Sequence, residues 1–260
     1  MPLRTVTVTR YVTPLREGGS LPAVVEADDD GLYVLKFRGA GQGASALVAE
    51  LIGGELARAL GLPVPELVFA QLDADIARTE PDPEIQELIR ASGGLNLALD
   101  YLPGSLNFDP LAMQPDAALA SSVVWFDAFI SNLDRTARNT NLLVWHRGLW
   151  LIDHGAALYF HHQWDGDDAR ADQPFALIAD HVLLPFATQL AAVDDALAER
   201  LSDERLQAVL AEVPADWLGE TAHAAEARRT DYLRYLRRRL RSPRAFVQEA
   251  LRAHAAQVGR

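Results

Sequence analysis

The sequence predicts an α+β fold in two lobes, a β-rich N-lobe followed by a mostly helical C-lobe. Three observations carry that prediction. The first hundred residues hold five short strand patterns around one long apolar-faced helix. The rest reads as helix apart from a single hairpin. Between them, Pro103-Gly104-Ser105 breaks the pattern, so residues 1–102 are assigned to the first lobe and 103–260 to the second.

The elements follow in order. Thr5 to Tyr11 alternates as a strand, Ala23 to Ala27 is a second, and Asp28-Asp29-Asp30-Gly31 turns into a third at Tyr33 to Phe37. Ser45 to Leu60 places Val48, Leu51, Ile52, Leu56, Ala59 and Leu60 at helical spacing, with Gly61 and Pro63 ending it. Gly53-Gly54 inside this helix costs roughly 1 kcal/mol per glycine, which close packing against a neighbour would explain. Glu66 to Leu72 and Leu95 to Tyr101 are strands, with a short helix at Asp82 to Ala91 between them.

In the second lobe, Asp116 to Ser131 is an apolar helix. A hairpin at Leu142–Trp145 and Leu149–Ile152 turns at His146-Arg147-Gly148. Helices are expected at Phe186–Leu197, Asp203–Val213, Glu220–Leu240 and Pro243–Ala256, the last capped by Ser242 with Pro243 at its first position.

Composition narrows the function classes. The 260 residues are 49% apolar and 23% charged, so a packed core is expected rather than bulk disorder. A net charge of −12 argues against general nucleic-acid binding. No apolar run reaches the ~18 residues of a membrane span, and the N-terminus lacks the apolar block of a secretory signal, so the expected location is cytoplasmic. The absence of cysteine removes disulfides and thiolate chemistry. Of 24 basic residues only Lys36 is lysine. That count singles out a position where a compact ammonium serves and a wide guanidinium does not.

The stretch Asn132-Leu133-Asp134-Arg135-Thr136-Ala137-Arg138-Asn139-Thr140-Asn141, followed after the hairpin by Ile152-Asp153-His154-Gly155, carries chemistry. Phosphoryl transfer needs a carboxylate to orient the attacking hydroxyl, hard oxygens for a divalent metal, and a cation for the phosphates. Asp134 fits the first role, Asn139 and Asp153 the second, and Lys36 the third, with Glu50 on the following helix able to pair with Lys36. Arg135 joins Asp134 at the catalytic centre, where it would support the loop by bonding carboxylates. The spacing of five from Asp to Asn, and the Asp-x-Gly, match the arrangement in protein kinases.

These motifs, with Leu60-Gly61-Leu62-Pro63-Val64-Pro65-Glu66 in the first lobe, resemble the HipA-type kinases, bacterial relatives of the phosphatidylinositol 3/4-kinase branch. The resemblance spans about Gly18 to Phe160. It implies a two-lobed protein-kinase-like fold and an ATP- and Mg²⁺-dependent kinase acting on a hydroxyl, most simply that of a protein serine or threonine. It assigns Asp134 as base, Asn139 and Asp153 as metal ligands, Lys36 as phosphate contact, and the hinge Leu97–Leu102, including Leu99, Asp100, Tyr101 and Leu102, as adenine contact. Either Gly18-Gly19-Ser20 or the glycine-rich 39–43 could meet the phosphates through backbone N–H groups, and the resemblance favours the first. Full-length HipA toxins carry an additional N-terminal subdomain for which this chain is short, so a compact kinase domain is implied. The toxin's target and its antitoxin partner do not transfer.

Two alternatives stand beside this reading. One is a nucleotide-binding regulatory module with little turnover; the other is a kinase of small-molecule or lipid hydroxyls. His161-His162 is read as structural rather than as a metal site, and the acidic run 165–168 as a solvated loop. The eight arginines of Arg228–Arg244 read as a solvated or ion-paired helix, the rival being a docking patch for an acidic partner or tRNA.

Overall fold

The computed structural model describes residues 2–15, 21–41, 43–163 and 168–259. Strands β1 (Thr5–Pro14), β2 (Ala23–Ala27), β3 (Leu32–Lys36), β4 (Leu67–Leu72) and β5 (Gly94–Asp100) close into a barrel of order β1-β2-β3-β5-β4. All neighbours are antiparallel except β1 and β4, whose parallel pairing closes the ring. Alternation along the strands sorts their side chains. Val6, Val8, Val25, Leu35, Val68 and Ala98 fill the barrel, whereas Leu67, Phe69, Leu97 and Leu99 face outward into a second, larger core.

That larger core joins the lobes. Helix α1 (Ala44–Ala59) lies on the barrel's outer face and is buried on most sides, so its Leu47, Leu51 and Leu56 share one cluster with the second lobe. Helix α2 (Pro83–Ala91) covers the barrel end with Ile85 and Ile89. Helix α3 (Ala117–Phe129) is apolar all round and forms the centre of the second lobe, as a helix without a polar face must. Asp116 caps it by accepting the Leu119 amide at 2.9 Å. Strands β6 (Leu106–Asn107), β7 (Leu142–Trp145) and β8 (Gly148–Leu151) form a separate three-stranded sheet in the order β6-β7-β8. Its hairpin turns through His146 and Arg147, both at positive φ, which matches the twist of the flanking strands.

Five helices complete the lobe: α4 (Leu190–Arg200), α5 (Asp203–Glu212), α6 (Ala215–Leu218), α7 (Ala222–Arg239) and α8 (Ala245–Val258). The helix expected from Phe186 begins only at Leu190, because Leu184–Phe186 is a separate 3-10 turn carrying Pro185. The Gln189 amide is instead held by Ser121 Oγ at 2.9 Å. The Ser242 cap is also corrected. Helix α8 starts after Arg244, with no side-chain cap. The Arg244 side chain is drawn away to α4, where it bonds Asp194 at 2.6 Å and Asp195. The sequence pattern missed β6 and α6, elements of two and four residues that are too short to show a period.

The arginine run divides by position. Arg229, Arg234, Arg237 and Arg238 pair with Glu226, Asp231, Asp203 and Asp172, so the chain neutralises much of its own basic face. Arg239, expected on a solvated ring, is buried. Its Nε and Nη2 donate to Phe129 O and Ala128 O, both at 2.7 Å, and Nη1 to Ala171 O and Gln173 O. It thus satisfies carbonyls at the C-terminal, negative end of α3.

The two glycines of α1 have distinct neighbours. A Cβ on Gly53 would lie 2.7 Å from His154 Cβ, and one on Gly54 would lie 2.9 Å from the Leu67 methyls. Alanine gains about 1 kcal/mol of helix propensity at either site. Overpacking costs about 1–3 kcal/mol where the neighbour cannot yield, and His154 Cβ is tied directly to backbone. Gly53→Ala is therefore expected to lower the thermal unfolding midpoint by several degrees. Gly54→Ala, which meets a flexible side-chain end, should change it less; an equal fall in both would refute the distinction.

Candidate active site

Lys36 ends β3 on the outward face, opposite in sense to Leu35, which fills the barrel. Its Nζ meets two carboxylates, Glu50 Oε2 at 2.6 Å and Asp153 Oδ1 at 2.5 Å. Glu50 comes from α1 and is fully buried; Asp153 follows β8 in the second lobe. Glu50 Oε2 also accepts the His154 amide at 2.8 Å. One ammonium therefore ties the barrel to α1 and to the loop after β8. Burial alone would push Glu50 up, but Lys36 and then the His154 side chain outweigh it and hold the carboxyl at about 2. Burial would likewise lower Lys36, and the two carboxylates hold it raised instead.

Asp153 sits at φ +56°, a left-handed conformation that Asp tolerates better than most residues. Its Oδ1 takes Lys36 and the Gly155 amide at 3.3 Å, leaving Oδ2 without a bond from the described residues. Gly155 has no room for a side chain without crowding the carboxylates: a Cβ would stand 3.3 Å from Asp153 Oδ1 and 3.7 Å from Glu50 Oε2. His154 packs edge-on to Phe126 beneath α1, fully buried, at the place where Gly53 leaves space.

Asp134 lies in the loop between α3 and β7. Its Oδ2 accepts Asn139 Nδ2 at 2.8 Å and Asn141 Nδ2 at 3.3 Å, and its amide donates to Asn132 Oδ1 at 3.2 Å. The loop hangs on one buried carboxylate, Asp127 of α3. Asp127 accepts Asn132 Nδ2 at 2.9 Å, Arg135 Nε at 2.5 Å and His181 Nε2 at 2.8 Å. The Leu183 amide donates to His181 Nδ1 at 3.0 Å, which fixes Nε2 as the protonated nitrogen of a neutral ring. Burial pushes His181 down, consistent with that form. For Asp127 burial pushes up, but Arg135 and His181 outweigh it and hold the carboxyl well below the usual range.

Arg135 carries the connection onward. Its Nη1 donates to Asn141 O and, at 3.2 Å, to Ile152 O, immediately before Asp153. The Asp134 loop and the Asp153 loop are thus fixed to one another by a single guanidinium. Arg135 is 1% exposed. Its donors go to the Asp127 carboxylate and to the Asn141 and Ile152 carbonyls.

Two hard oxygens lack a hydrogen-bond partner among the described residues, Asp153 Oδ2 and Asn139 Oδ1, the latter on an amide whose Nδ2 is held by Asp134. Among the described residues no cluster of three or more His, Asp or Glu would hold a metal alone. This donor set suits Mg²⁺, which is bound by one or two protein groups together with phosphates and water. In the segment expected as hinge, the Asp100 and Tyr101 amides donate to Glu66 O at 2.8 Å and Leu32 O at 2.9 Å, whereas the Leu102 amide has no partner among the described residues. Alternation turns the Asp100 side chain away from the face of Leu97 and Leu99, so its carboxylate does not enter the cleft. Gly18, Gly19 and Ser20 lie outside the described residues. In the rival loop, the Gly39 amide is committed to Ser92 Oγ at 3.0 Å.

A family model described as HipA-like kinase matches residues 8–245. The chain belongs to the HipA-like kinase family. Its fold is similar to that of the Helicobacter pylori proinflammatory kinase CtkA, at 11% identity and a TM-score of 0.54, covering 98% of this chain and 99% of that one. A Golgi casein kinase aligns less well, with a TM-score of 0.47 at 11% identity over 98% of this chain and 73% of that one. No curated protein sequence matches. The fold is accordingly that of a two-lobed kinase, as the sequence resemblance implied.

In this HipA-like kinase the structure brings together Lys36, Glu50 and Asp153 in one cluster and Asp134 with Asn139 in another, joined through Arg135. The sequence pattern does not single out Asp127, His181 or Asn141 for the site. Asp127 was legible as a lone charge in an apolar helix; His181, 54 residues away, carried no signal. His161 bonds the Tyr232 hydroxyl at 2.8 Å, a structural contact.

Two stability measurements test this geometry. Arg135→Met strands the buried Asp127 charge and should cost about 3–5 kcal/mol in urea unfolding. Glu50 has a folded pKa of about 2 against 4.5 unfolded, so its contribution is complete above pH 4.5 and lost as pH falls towards 2. Glu50→Gln should flatten the stability–pH curve in that window. An unchanged acid limb would show that the Lys36–Glu50 pair does not contribute to it.

Proposed function

We propose that this HipA-like kinase transfers the γ-phosphoryl group of ATP, with Mg²⁺, to a hydroxyl of a protein serine or threonine. The observation that carries the reading is Lys36 bonded at once to Glu50 and Asp153, with Asp134 held in the adjoining loop. Bound Mg²⁺ would neutralise phosphate charge, and Asp153 and Asn139 are the residues to hold it. Lys36, fixed in direction by Glu50, meets the phosphates as a point charge. Asp134 orients the acceptor hydroxyl and takes its proton on the carboxylate. The Asn139 and Asn141 amides aim that carboxylate without neutralising it. The unpaired Leu102 amide offers a donor to adenine. We place the lobe boundary at this hinge, after residue 102.

The test is incubation with γ-labelled ATP and Mg²⁺ in the presence of a cell lysate, followed by mass mapping. Wild type should label serine or threonine. Asp134→Asn should lose about 10²–10⁴-fold in rate while still binding nucleotide. Labelling that survives the substitution would remove Asp134 as the base. Nucleotide binding without transfer to any acceptor would favour the regulatory-module reading, and label on a small molecule or lipid would replace the protein acceptor.

A further inference from the structure

An open pocket shares Asp100 and Leu102 with the hinge of the proposed function and is otherwise lined by residues to which that reading gives no role. Its floor is a pair of tryptophans on one face of the β7–β8 hairpin, Trp145 and Trp150. The chain has five tryptophans, and Trp125 and Trp217 are core residues. Trp145 and Trp150 are only half-buried, with ring centroids 5.4 Å apart and planes at 75°. Trp145 is locked by its Nε1–H bond to Pro103 O at 3.0 Å. Gly148 stands opposite Trp145 in register, beside the Trp150 indole.

The walls are rigid and mixed. Pro63 and Pro65 form one side, and the Leu151 amide pins this loop to β8 by bonding Pro63 O at 2.8 Å. Two carboxylates, Glu66 and Asp100, stand at the rim. Glu66 is bonded by Arg4 Nε at 3.0 Å, but the other Arg4 nitrogens go to Asp29 and Tyr33. The Asp100 carboxylate has no hydrogen-bond or ion-pair partner among the described residues. Partial burial, and then Glu66, push its carboxyl up, the signature of an acid beside another acid. Arg58, at the far edge, leans to Glu55 at 3.6 Å.

We infer that this pocket receives an arginine side chain presented by a partner protein. Two indole planes at a steep angle offer faces for a guanidinium. The prolines offer apolar surface for its methylene stem. The unpaired Asp100 carboxylate offers the fork-shaped acceptor that a guanidinium fits. The net charge of −12 favours approach of a basic partner. Because Asp100, Leu102 and Pro103 belong to the hinge, such a partner would engage the kinase at that segment.

The experiment is a titration of the ¹⁵N-labelled protein with an acetylated, amidated Gly-Arg-Gly peptide, read at the indole N–H resonances. The Trp145 and Trp150 signals should move saturably, with those of Trp125 and Trp217 fixed. The citrulline peptide, equal in shape but uncharged, should leave all four in place. Asp100→Asn should weaken the arginine response about tenfold, with unmoved Trp125 and Trp217 signals showing an intact fold. Trp150→Leu, which keeps an apolar wall without a π-face, should weaken the shift of Trp145 as well. No saturable shift, or equal shifts with citrulline, would overturn the assignment.

Discussion

Everything in the cleft depends on one ammonium shared by two carboxylates. Lys36 belongs to the barrel, Glu50 to the helix on its outer face, and Asp153 to the loop beyond the second-lobe hairpin. A buried ion pair is weak support for stability, since desolvation offsets much of the attraction. Its value here is geometric. The three groups come from three elements, and their only low-energy arrangement aligns those elements. The His154 amide on Glu50 and the Gly155 amide on Asp153 extend the same knot into the backbone. His154 itself fits under the helix because Gly53 has no side chain.

A second knot holds the Asp134 loop. Asp127 projects from the central apolar helix, where an unpaired carboxylate would be untenable, and Asn132, Arg135 and His181 answer it from a later stretch of chain. Arg135 then reaches the carbonyl before Asp153, so the two knots are in contact. Asp134 stays half-exposed beside this buried scaffold, with a carboxylate aimed by amides rather than quenched by cations. Rigid charge pairs lie underneath, and neutral amides meet the Asp134 carboxylate.

The second lobe's periphery follows a related rule. Arginine serves where a wide donor array is useful. Arg239 closes the carbonyl end of the central helix, Arg244 joins two helices through Asp194 and Asp195, and Arg229, Arg234, Arg237 and Arg238 of the same run pair with acids of their own chain. Only at position 36, between two close carboxylates, does the compact ammonium appear.

Periodicity and turn chemistry in the sequence determined the strands of the barrel, its main helix, the central apolar helix and the hairpin, because each is a local pattern of five residues or more or a glycine-marked turn. The spacing of Asp134, Asn139 and Asp153 and the single lysine marked out the site for the same reason: their residue types are unusual in their surroundings. Tertiary structure alone decided the rest. Closure of the barrel by β1 and β4, the answer of His181 to Asp127, the burial of Arg239 and the bond of Trp145 to Pro103 are contacts between distant segments. A sequence records which groups a chain carries. Which distant group satisfies a buried charge is fixed only when packing brings the segments together and leaves one partner within reach.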